Sequence, residues 1–114
     1  GRREGRKLGY PTANLALPDY KLRPAFGVYI SRVEVPSGSY YAATNVGIRP
    51  TFGPGGTPSV EAHLLDFSGD LYGAPMTLHF LEYLRPERRF TDLGALREQL
   101  GKDVDAVARY AAEA

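Results

Sequence analysis

The chain has 114 residues, 43% hydrophobic and 24% charged, with a formal net charge of +1. That is the size of one domain able to bury its own core, and the composition excludes wholesale disorder. The absence of cysteine excludes a disulfide framework and thiolate chemistry. Two histidines make a zinc site improbable, and near-neutral charge argues against bulk electrostatic binding of nucleic acid. Residues 1–25 carry several glycine and proline breakers and no clean periodicity, which reads as a long loop region. FGVYISRVEV (Phe26–Val35) is rich in β-branched and aromatic residues and predicts a strand. The cluster Pro36-Ser37-Gly38-Ser39 is a turn, and Tyr40–Val46 returns as a second strand of an antiparallel hairpin. Gly47–Pro58 reads as a loop with four glycines and three prolines, long enough in a compact domain to suggest function. Ser59–Asp66 and Met76–Leu84 complete four predicted strands, joined by the connection Phe67–Pro75.

Beyond Arg85 the pattern changes to an amphipathic helix, with Leu93, Leu96, Leu100, Val104, Val107 and Ala111 spaced three or four apart. Thr91 or Asp92 is placed to cap it. Gly101 is the point at which the helix would divide, since glycine inside a helix costs about 1 kcal/mol against alanine. Short antiparallel strands followed by one terminal helix suggest a small β-barrel, whose closure removes exposed edges. No apolar run reaches membrane-spanning length and the basic opening GRREGRK is followed by no apolar stretch, so a cytoplasmic location is expected.

Three constellations carry candidate chemistry. In GRKLGYPTAN (Gly5–Asn14), glycines permit close backbone approach. Thr12 and Asn14, two apart in extended chain, can present two neutral oxygens to one hard cation such as Mg²⁺. The bland alternative is a capped turn. Along SVEAHLLD, Val60, Ala62 and Leu64 fall on one face and Glu61, His63 and Leu65 on the other. A mid-strand glutamate is unusual, and near phosphate chemistry Glu61 is a candidate general base. The alternative is a solvated sheet face, and for His63 a packed ring. In LRPERRF (Leu84–Phe90), Arg85, Arg88 and Arg89 stand beside an aromatic, a set suited to a flat ring or to phosphates, or else a solvated basic loop. No P-loop, GxGxxG after a strand, GxSxG or HExxH motif occurs, so a nucleotide site here would use another cradle.

Taken together, GRKLGYPTAN, GVYISRV, TNVGIRPTF, VEAHLLDFSGDLYG and LRPERRF resemble the riboflavin kinase family over nearly the whole chain, in order. The wording NVGIRPTF and LLDF is similar to the bacterial branch, where this module is the C-terminal half of bifunctional FAD synthetases. The resemblance implies a mainly β fold, a six-stranded antiparallel Greek-key barrel with a C-terminal α-helix. One of its strands precedes the start of this chain and another falls within a stretch read as loop. It implies that residues 1–114 form a riboflavin kinase domain excised from a longer chain, without its first strand and without the adenylyltransferase domain to which it would be covalently linked. It implies transfer of the ATP γ-phosphoryl group to the ribityl 5′-hydroxyl of riboflavin, giving FMN and ADP, with Mg²⁺.

Residue by residue, Thr12 and Asn14 match the metal–nucleotide positions and Glu61 the catalytic carboxylate. Gly1, Arg6 and Tyr72 match the ATP/ADP side, and Arg85, Phe90 and Leu93 the flavin side. The resemblance implies no nucleic-acid or membrane partner. Two other classes stay open on the residues alone. One is a flavin-binding module without catalysis. The other is a small barrel binding single-stranded nucleic acid through Tyr10, Tyr40, Tyr41 and the arginines.

Overall fold

The computed structural model describes residues 12–16, 25–50, 56–71 and 73–114. They form one antiparallel sheet and one helix. The strands are β1 (Thr12–Ala16), β2 (Gly27–Val35), β3 (Gly38–Pro50), β4 (Gly56–Leu64) and β5 (Thr77–Arg85), followed by α1 (Leu93–Glu113). The spatial order is β1-β4-β3-β2-β5. Three consecutive strands pair as a meander, and the strands before and after return to its two flanks, which is Greek-key connectivity. Among the described residues β1 and β5 are the edges of an unclosed sheet, so the expected sixth strand and barrel closure lie beyond what they establish.

The hairpin is as expected, with Pro36-Ser37 turning the chain between Val35 and its partner Gly38. Three readings are corrected. Thr12–Ala16, read as loop, is a strand, because five residues are too few to show a period and the β4 ladder organises them from outside. Gly47–Pro50 and Gly56–Pro58, also read as loop, extend β3 and β4, with Ile48 opposite Pro58 and Pro50 opposite Gly56. The prolines are tolerable there. Pro50 ends β3, and Pro58 lies beyond the last pair with β1, Ala16 with Ser59, where its missing N–H costs no second ladder. The helix runs unbroken through Gly101, and Asp92 is its cap, accepting from the Ala95 N–H at 2.8 Å.

The sheet is packed on both faces. On one face Val33, Ala42, Ala62 and Leu64 gather under Leu71 from the β4–β5 connection, flanked by Tyr40, Phe67 and Leu78. On the other, Ile30 and Ala43 pack against Val107 of α1, with Tyr41 and Tyr110 edge to face at 6.2 Å. Central strands β2 and β3 are therefore buried on both sides, which explains why Ile30 and Ser31 are both buried neighbours. The buried hydroxyls of Ser31 and Thr44 bond one another across these strands, so the interior carries no polar cost at that pair.

Candidate active site

The β1–β4–β3 register assembles the first two constellations. Asn14 is paired with Glu61, and Glu61 in turn with Asn45. One step along, Thr12 is paired with His63 and His63 with Ala43. Directly paired residues of antiparallel strands share a face. Asn45 thus stands in one row with Glu61 on the face that α1 packs against, and Asn14 holds the register position opposite Glu61 on β1. Thr12 and Asn14 sit on neighbouring register positions of that face.

Between this face and α1 lies a cavity of about 130 Å³. The strands contribute Val28, Ala43, Asn45, Glu61, His63 and Arg85. The helix contributes Leu96, Leu100 and Asp103, and the connecting segment Glu87, Arg88 and Phe90. Glu61 from one motif and Arg85 and Phe90 from another therefore line one space. Leu93 does not: as the first helical residue it is 66% exposed and outside the cavity. Gly1, Arg6 and Tyr72 lie outside the described residues.

The electrostatics of the cavity are set from two sides. His63 is largely enclosed, its side chain 12% exposed, and loss of hydration pushes its pKa down to about 4, against a smaller upward pull from the Asp103 carboxylate. It is a neutral ring near pH 7. Its Nε2 stands 3.9 Å from Glu61 Oε1, beyond hydrogen-bonding range, so Glu61 has no cationic neighbour in His63. On the helix side, Arg85 donates from Nε and Nη2 to the two oxygens of Asp103 at 2.8 and 2.7 Å. Arg88 donates to Gln99 at 2.9 Å and lies over the Phe90 ring, 5.1 Å from its centroid. Asn45 donates to Glu87 at 3.3 Å, which ties the Pro86–Phe90 segment to β3 beside Glu61.

Sequence reasoning missed Asp103, Asn45 and Glu87. Asp103 had a signal: it falls four residues before Val107 and three after Leu100, on the apolar stripe itself, where an acid has no place unless it is paired. Asn45 and Glu87 had none, because only the register and the path of the connecting segment bring them to Glu61.

The arrangement offers a carboxylate acceptor with the Asn45 amide in its row, two guanidinium groups, and an aromatic wall. The riboflavin kinase family model matches residues 1–111. The chain belongs to the riboflavin kinase family. It is 41% identical over 112 residues to the bifunctional riboflavin kinase/FMN adenylyltransferase of Pseudomonas fluorescens, covering 98% of this chain and 36% of that protein. The protein of the same description from Bacillus subtilis is 37% identical, with 96% of this chain and 35% of that one covered. An RNA-binding riboflavin kinase of Bacillus subtilis is 38% identical, covering 96% of this chain and 46% of that protein. The chain thus spans about a third to a half of the length of these relatives. A crystal structure described as a macrolide-efflux protein from Streptococcus pneumoniae matches with a TM-score of 0.81 at 36% identity, over 95% of this chain and 35% of that one. Among the described residues no helix is long and apolar enough to cross a membrane.

Proposed function

We propose that this chain is an ATP:riboflavin 5′-phosphotransferase module, forming FMN and ADP. The observation that carries the reading is the row Asn14–Glu61–Asn45, because it joins the expected nucleotide–metal strand to the expected catalytic carboxylate at the mouth of a cavity that also holds Arg85 and Phe90. Phosphoryl transfer asks a protein mainly for positioning and charge neutralisation. Glu61, with a side chain 32% exposed, would accept the hydrogen bond of the ribityl 5′-hydroxyl, orient it, and take its proton as the bond to phosphorus forms. Phe90 and Leu96 give a flat apolar ring a wall to lie against.

The donor set suits Mg²⁺. Among the described residues no group of three or more His, Cys, Asp or Glu is placed to hold a metal ion. A cation here would rely on neutral oxygens, for which Thr12 and Asn14 stand beside the carboxylate row, and on the phosphates. Thr12 and Asn14 would hold it; when bound, it neutralises phosphate charge. Gly1, Arg6 and Tyr72 would complete the nucleotide side, and Arg85 and Phe90 the flavin side, with Leu93 joining it only if α1's first turn closes over the ligand. We further read the sheet as part of a closed six-stranded barrel, the chain as the kinase half of a cytoplasmic bifunctional protein, and FAD formation as belonging to the other half.

The deciding experiment incubates the protein with ATP, Mg²⁺ and riboflavin and reads FMN by chromatography. FMN that requires all three supports the reading. FMN binding without ATP turnover would replace it with a non-catalytic flavin module. Salt-sensitive retention of oligonucleotides without flavin binding would favour the nucleic-acid alternative, the direction in which the RNA-binding relative points.

A further inference from the structure

We propose that Asp103 is a positioning residue for flavin binding: from the helix it fixes the Arg85 guanidinium on the cavity wall and, through Gln99, the Arg88 guanidinium beside Phe90. The proposal rests on the reading of this cavity as the flavin side of a riboflavin kinase. Asp103 is 4% exposed, on the buried stripe of α1 between Leu100 and Val107. A carboxylate is expensive to bury, and here both its oxygens are occupied. Arg85 meets it with two parallel bonds at 2.8 and 2.7 Å, and Gln99 Nε2 adds a third at 3.0 Å. A two-point bond between planar groups fixes the plane of the guanidinium, which a lysine could not reproduce.

The remaining contacts extend the same control. Arg85 Nη1 donates to the Pro86 carbonyl at 3.0 Å, setting the start of the connecting segment. Three of the five guanidinium N–H groups are thus engaged, and one on each terminal nitrogen remains for a ligand. Gln99, anchored by its amide N–H to Asp103, turns its carbonyl to Arg88, and Arg88 lies over Phe90. One buried carboxylate therefore aligns both cations and the aromatic wall. Stability alone is a poor reason for such a pair, since matched apolar residues often serve a buried position as well or better. Its members line the cavity that holds Glu61, which is where alignment has a use.

The test is steady-state kinetics and thermal unfolding of the whole chain. Asp103→Asn keeps the shape and removes the charge. It is expected to raise the riboflavin KM about tenfold, the loss of roughly one charge-assisted hydrogen bond, to lower kcat by less than that, and to leave the ATP KM unmoved. Arg85→Met with Asp103→Leu replaces the pair by apolar side chains. It should regain the wild-type melting temperature while the riboflavin KM stays raised. Wild-type riboflavin KM in folded Asp103→Asn, or in the apolar pair, would overturn the proposal and leave Asp103 a structural residue. If Asp103→Asn does not fold, Gln99→Leu decides, with an unmoved riboflavin KM overturning the proposal. Failure of the wild-type protein to form FMN would instead overturn the kinase reading, and this proposal with it.

Discussion

Glu61 and His63 are neighbours on one face of β4 with opposite demands on water. Glu61 keeps a part-exposed carboxylate, whereas His63 is shut away with its pKa pushed down to about 4. Glu61→Gln is close to isosteric and deletes the acceptor charge and the base. FMN formation should fall by about 10²–10⁴-fold, the usual worth of a positioned base, with the melting temperature and ADP–Mg²⁺ affinity little changed. Turnover within a few-fold of wild type, measured on protein of normal stability, would remove Glu61 from the chemistry. His63 makes a separate prediction about pH. Its proton is bound in the unfolded chain below pH 6.5 and refused by the folded one until about pH 4. The unfolded state thus binds more protons in that window, so stability is fully present above it and is lost as the pH falls through it, by roughly 3 kcal/mol for a shift of this size. Urea unfolding from pH 7.5 to 4.5 should show a steeper loss for wild type than for His63→Asn, which has no proton to gain. Parallel curves would mean that the ring titrates normally in the folded protein.

At the level of elements, α1 runs through Gly101, where the sequence marks a point of division. Packing of Leu100, Val104 and Val107 on the sheet outweighs the cost of one glycine. A methyl group at Gly101 meets nothing within 4 Å. Gly101→Ala should therefore stabilise the protein by about 0.5–1 kcal/mol, read as a raised urea midpoint with unchanged slope. A lowered midpoint would show that the site needs glycine after all. The contrast is Gly27. Its φ is +148°, and a side-chain Cβ there would stand 2.9 Å from the Arg85 carbonyl oxygen, which leaves no room for any other residue. The helix, its start at Thr91 or Asp92, the hairpin and the inward face of β4 were all legible, because each is written in local periodicity or turn chemistry. β1 and the outer ends of β3 and β4 were not. Their residues have weak strand preference and are held by partners distant in sequence. The same reason divides the site: Glu61 and Phe90 stand out by type and motif, while Asn45 and Glu87 acquire a role only when the β3–β4 register and the chain path past Gly47 are known.

For the whole molecule, the proposed kinase reading raises the question of how a flavin would reach Glu61. The cavity measures about 130 Å³, well below the roughly 300–1,000 Å³ of sites that enclose ligands of this size. On that reading something would have to move, and the sequence offers two glycine- or arginine-rich segments. The first is shortened by the ladder that pairs Gly47–Pro50 with Gly56–Ser59, and residues 51–55 between them lie outside the described set. The second, Pro86–Phe90, lies between β5 and α1 and lines the cavity through Glu87, Arg88 and Phe90. It is tied at its root by the part-buried Arg85–Asp103 pair, but beyond that by exposed contacts: Glu87 with Asn45 at 3.3 Å and Arg88 with Gln99 at 2.9 Å. Exposed pairs of this kind are worth little, about 0–1 kcal/mol, so the segment can open on a hinge at Arg85 without disturbing the core. Closure over substrate would exclude water, which competes with the ribityl hydroxyl for the phosphoryl group. Amide exchange at Glu87–Phe90 is therefore expected to be fast in the free protein and slowed when ADP, Mg²⁺ and FMN are bound together, while the β2–β3 hairpin is unchanged. Protection that is equal in the two states would leave the segment a fixed wall, and the flavin would have to enter from the side of β1.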